Sequence, residues 1–188
     1  MFAVLLLLDE AVKVIGLAVQ GLYLPRYLPF HLCSINIFII LWHCTHSSRA
    51  VNNYLFTVGI PAAMIALLTP SWAVLPHWNF MNLHSFTVHI LLATYPIMLT
   101  YSGELNPQIK YLPQSLGVLA AMACVAYGVN LIFDTNFMFL MYPNPGTPLV
   151  WFEQHMGNHF WGFPILISAI VIVMYSGLAI YRKIVIRP

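Results

Sequence analysis

Residues 162–181 read GFPILISAIVIVMYSGLAIY, twenty positions without one charged side chain. A helix rises about 1.5 Å per residue, so a run of this length covers the ~30 Å hydrocarbon core of a bilayer. The stretch is a transmembrane helix, and the rest of the chain repeats its pattern. Apolar runs fall at about 2–22, 29–46, 53–69, 85–101, 114–134 and 162–181. Between them lie connectors such as LPRYLP, HSSRAV, TPSWAVLPHWN, SGELNPQIKYLP and NPGTPLVWFEQHMGNH, where proline and glycine end helices. Pro61, Pro96 and Pro164 fall inside spans, where membrane helices tolerate them as kinks.

Of the 188 residues, 61% are hydrophobic and 6% charged. A soluble domain carries roughly 25% charged residues, so this chain has too little polar surface to face water. The reading is a single all-α domain over residues 1–188, a polytopic transmembrane helix bundle of about six spans. MFAVLLLLDEAVKV lacks the basic start of a signal peptide and reads as a mature helix. A net charge of +2 gives no footprint for nucleic acid. No glycine-rich nucleotide loop or zinc-type cysteine pair occurs, so no cofactor or metal is called for. Cys33 and Cys44 lie eleven residues apart on one expected helix, roughly 16 Å and too far to bond each other.

Basic residues in short loops collect on the cytoplasmic side. Arg182, Lys183 and Arg187 follow the last span and place the C-terminus in the cytoplasm. Counting back puts Lys110 and Arg49 inside and leaves Arg26 outside. The expected location is the cell membrane, with both termini inside.

That topology sets the depth of each polar residue. Span two runs inwards from near Pro29, putting Cys33 one turn below the outer surface. Span four starts near Ser85, putting His89 at the same level. Span five brings Asn130 and Asp134 towards that end. Cys33, Asn36 and His43 lie close to one stripe, Tyr127, Asn130 and Asp134 form another, and Ser85 aligns with His89. Polar side chains in a bilayer face the bundle interior or a water-filled cavity, so the cluster reads as a polar cleft. The plain alternative is glue between helices, with hydrogen bonds worth about 0.6 kcal/mol each.

Other polar residues have simpler readings. Asp9, Glu10 and Lys13 have spacings that allow pairing within span one, against a functional role for intramembrane charge. His155 and His159 are spaced to chelate a metal on a helix, but no third ligand is evident and they read as interfacial, as do His43 and His46. Trp42, Trp72, Trp78, Trp151 and Trp161 read as an aromatic belt.

Three motifs carry a family resemblance: YLPFHLCSINIF (27–38), SFTVHILLATYPIMLTYSGELNP (85–107) and TNFMFLMYPNPGTPL (135–149). Together they resemble the bacterial YwaF-type membrane proteins, grouped with the eukaryotic transmembrane protein 164 family. The likeness covers nearly the whole chain from residue 20. The first span is shorter than family members show, which points to a missing leading helix. The resemblance implies a cysteine-dependent acyltransferase that moves fatty acyl chains between phospholipids, similar in architecture to the androgen-induced hydrolases of fatty-acid esters. On that likeness Cys33 matches the nucleophile, and His89 matches the histidine that precedes a proline seven residues on. The partner is then a membrane lipid. Asn36, Asn130 and Asp134 are each candidates to orient the imidazole, and His31 or Asn36 to supply oxyanion donors. A lipid ester hydrolase uses the same pair with water as acceptor. The rivals are a small-solute transporter or channel, and a non-catalytic membrane protein whose polar residues only pack.

Overall fold

The computed structural model describes residues 1–185, so Arg187, one of the basic residues used to orient the C-terminus, lies outside the described residues. The expected all-α class is what the chain adopts, with no strand among the described residues. The chain divides into two compact units, Met1–Met141 and Tyr142–Pro188.

In the first unit, α1 (Phe2–Val19) leads through a 3₁₀ turn at Pro25–Tyr27 to α2 (Leu32–Thr45). Next, α3 (Arg49–Tyr54), a π-turn (Leu55–Gly59) and α4 (Ile60–Leu68) run as one rod. The widened turn has a cause in the sequence. Pro61 has no N–H and its ring crowds the carbonyl of Thr57 one turn back, a conflict that a π-bulge relieves. The Thr57 hydroxyl turns back to bond the Asn53 carbonyl. A 3₁₀ turn (Ser71–Val74) then leads to α5 (Phe80–Ser102) and α6 (Leu112–Phe133).

The start of α5 differs from expectation. Asn79 caps it, its side-chain oxygen accepting from the Met81 N–H at 2.9 Å, so the helix begins five residues before Ser85. Asn82 and His84 lie in the added turns, and both are buried. Gly103 closes α5 in the left-handed conformation (φ 83°), which costs a residue without a Cβ nothing.

Helices α1, α2 and α5 form one wall. Cys33 meets His89 and His43 meets Tyr95, so α2 and α5 run parallel. Phe2 lies against Tyr95 and Asp9 against His84, so α1 runs antiparallel to α5. Leu6, Ile37, Ile40, Leu92 and Pro96 are fully buried apolar residues of these helices. In the second unit, α7 (Pro148–Met156) turns through His159–Trp161 into α8 (Gly162–Val185). A Cβ at Gly162 would lie 2.7 Å from Leu149 and 2.8 Å from Phe152, so glycine is what lets α8 start hard against α7.

Among the described residues, four stretches have the length and apolarity to cross a membrane: Arg49–Val74, Phe80–Ser102, Ile109–Phe133 and His159–Ile184. Helix α2 has fourteen residues, about 21 Å at 1.5 Å per residue. Helix α1 has eighteen and carries Asp9, Glu10 and Lys13.

Candidate active site

Proline at 29 and an extended His31 bring the chain into α2, with Cys33 its second residue. The first intrahelical bond belongs to Ile35, whose N–H reaches the His31 carbonyl at 3.0 Å. The N–H groups of Leu32, Cys33 and Ser34 precede it and have no acceptor within the helix. His31 contributes no side-chain cap. Its ring lies edge-on to Phe137 at 5.0 Å and tilted to Phe139 at 6.1 Å. The end of α2 beside Cys33 is thus a set of backbone donors aimed out of the helix.

His89 faces it from α5. Its Nδ1 lies 2.6 Å from the Ser85 carbonyl oxygen, one turn back. A carbonyl only accepts, so Nδ1 carries the hydrogen. In the neutral ring Nε2 is then the bare acceptor. That nitrogen lies 3.0 Å from the Cys33 sulfur. The ring tautomer and the thiol proton therefore have one consistent arrangement, S–H donating to Nε2. Both cysteine and histidine are largely withdrawn from the surface. The indole of Trp72 stacks on the imidazole, with centroids 4.6 Å apart and planes 18° from parallel.

The remaining candidates bond away from the pair, although Asn36 Nδ2, buried, has no hydrogen-bond partner among the described residues. Asn36 is 1% exposed and accepts a 2.9 Å bond from the Tyr54 hydroxyl. Asn130 clasps the loop after α6: its Oδ1 accepts from Phe137 N–H (2.7 Å) and the Thr135 hydroxyl (3.0 Å), and its Nδ2 donates to the Phe137 carbonyl (3.1 Å). Asp134 is an exposed left-handed cap (φ 50°) on α6. None of these bonds involves the His89 ring, whose Nδ1 lies instead against the Ser85 carbonyl, a backbone group that side-chain chemistry could not reveal. Asn130→Ala removes three bonds and leaves buried partners unmatched, so stability should fall by about 2–3 kcal/mol. Asp134→Asn should change it by less than about 0.5 kcal/mol. Thermal unfolding in detergent compares the two.

Position along α5 also departs from expectation. His89 lies nine residues beyond the start of α5, about 14 Å along it rather than one turn. The first turn of α2 therefore sits beside the middle third of α5.

Three further polar groups lie outside the pair. On α1, Lys13 pairs with Glu10, and Asp9 Oδ2 lies 2.6 Å from His84 Nδ1 without an aligned hydrogen bond. At the far end of α2, His43 joins the Tyr95 hydroxyl (2.7 Å) and Asn52 Oδ1 (2.9 Å). In the second unit, His159 Nδ1 lies 3.0 Å from Glu153 and His155 Nδ1 2.9 Å from the Trp151 carbonyl. Each of the two histidines thus has its own local partner.

Trp72 is the residue the sequence reading missed. It sits in a proline-bounded connector, the usual position of a belt tryptophan, and only the fold turns it onto His89.

Comparison with known proteins gives one match. The family model described as TMEM164 family matches residues 1–176. No curated protein and no solved structure matches. The match bears out the relation to the transmembrane protein 164 family read from the motifs, while the YwaF-type label rests on those motifs alone.

Proposed function

The chain belongs to the TMEM164 family, and from that premise we propose that this multi-pass helical membrane protein is a lipid acyltransferase working through Cys33 and His89. One observation carries the reading: a thiol and the bare nitrogen of a tautomer-fixed imidazole, 3.0 Å apart between two helices. A thiol attacks an ester as thiolate, and an adjacent base supplies it.

Nε2 of His89 takes the proton from Cys33, and the sulfur attacks the ester carbonyl of a membrane lipid. A C–S bond forms, and the tetrahedral oxygen gains negative charge. The unspent N–H groups of α2's first turn are suited to receive it, in a low-dielectric site where such donors count most. As the C–O bond breaks, the imidazolium returns the proton to the departing alcohol oxygen, leaving a thioester on Cys33. A second lipid hydroxyl, deprotonated by His89, attacks the thioester, and the thiol regains its proton. Water in place of that hydroxyl makes the enzyme an ester hydrolase.

The experiment is to incubate the protein in vesicles of a deuterium-labelled diacyl phospholipid and quench in acid. The expected result is a labelled acyl mass on the Cys33 peptide that neutral hydroxylamine removes. A Cys33 peptide unmodified throughout turnover overturns the mechanism.

We place the protein in the cell membrane with Arg49, Lys110 and the Arg182–Lys183 end in the cytoplasm. The 2.7 Å bond from the Arg49 guanidinium to the Tyr111 hydroxyl supports putting Arg49 and Lys110 on one side.

A further inference from the structure

The indole of Trp72 presents two features. One face lies against the His89 ring at 4.6 Å, and Phe86 of α5 meets it edge-on at 5.5 Å. Its Nε1–H is buried and has no hydrogen-bond partner among the described residues. Native chains rarely leave a buried N–H unmatched, and an exception calls for an explanation such as a catalytic role or a ligand. An indole offers one neutral donor and no acceptor. It therefore suits an oxygen that gains charge during a reaction and loses it afterwards.

Resting on the Cys33–His89 reading, we propose that Trp72 is a third catalytic residue of the site: its Nε1–H donates to the ester carbonyl oxygen as the Cys33 sulfur attacks. The stacked ring has a companion effect. When the thiol proton passes to His89, the new imidazolium lies on the indole face, a cation–π contact that favours the charged pair. The two effects separate by chemistry. Alkylation of the thiol needs the thiolate and has no carbonyl oxygen to stabilise, whereas acylation needs both.

The test measures two rates at Cys33 in detergent: alkylation by iodoacetamide, read on the Cys33 peptide by mass spectrometry, and turnover of p-nitrophenyl decanoate. Trp72→Phe keeps an aromatic stack and removes the N–H. Alkylation should stay within about twofold of native while kcat falls on the order of 10²-fold, the usual effect of losing one such donor, with KM little changed. Native-like alkylation also reports that the variant is folded. Native turnover in Trp72→Phe overturns the proposal. Equal slowing of both rates overturns it too, since Trp72 would then only hold the imidazole. The parent reading fails separately: native protein that turns over no ester, and whose Cys33 alkylation is unmoved by His89→Gln, removes the Cys33–His89 pair and Trp72's role with it.

Discussion

Cys33→Ala protein reconstituted in phospholipid vesicles should transfer no acyl chain above background, an expected fall of at least about 10³-fold, while remaining folded. The size follows from covalent catalysis: without the nucleophile there is no thioester, and residual catalysis from other groups of such a site is small. The fold should hold because the lost contact is a single hydrogen bond to Nε2 (3.0 Å), worth about 1 kcal/mol. Cys33→Ser is the sharper control. A hydroxyl can still donate to Nε2, so stability should match native. Its proton is far harder to remove, so transfer should still fall by on the order of 10²-fold or more. Phospholipid acyl profiles and thermal unfolding, measured on the same preparations, read both. Undiminished transfer by Cys33→Ala would leave the Cys33–His89 contact as packing and return the protein to the non-catalytic reading.

The sequence carried the fold class, and it brought Cys33 and His89, 3.0 Å apart in the structure, towards one another for a physical reason. Polar groups in lipid must face inwards, so helical spacing and depth suffice to bring a few of them together. What it could not carry were choices made by backbone and loop. The hydrogen on His89 is placed by the carbonyl of Ser85, and every residue has a carbonyl. Asn130 has the composition of a base-orienting amide, but three loop groups within 3.1 Å claim it. Trp72 sits where belt tryptophans sit, and nothing local says that the turn at Ser71–Val74 folds back onto α5. The first turn of α5 contains Asn82 and ends near His84, polar residues that the bundle buries. That earlier start places His89 in the middle third of α5 rather than in its first turn. The N-terminal donors of the short helix α2 reach that level because α2 begins only at Leu32.

The charges on α1 admit an equally decisive experiment. Lys13 and Glu10 are 6% and 8% exposed and form an ion pair, with Asp9 and Glu10 both near His84, at 2.6 and 3.9 Å. Removing one member of a buried pair leaves a charge uncompensated, so Lys13→Met should cost about 3–5 kcal/mol. The double variant Glu10→Gln/Lys13→Met removes the pair together and should recover most of that loss, since replacing a whole buried pair is often neutral. Unfolding in mixed micelles measures the difference as a coupling energy. A Lys13→Met chain as stable as native would mean that this stretch of α1 is well hydrated. Acyl transfer by the double variant separates the two readings of the charges. Native activity makes them a lock holding α1 against α5, which is what their mutual contacts suggest. Loss of activity in a stable double variant would instead place them in the chemistry, or in a proton or solute path that the transport reading requires.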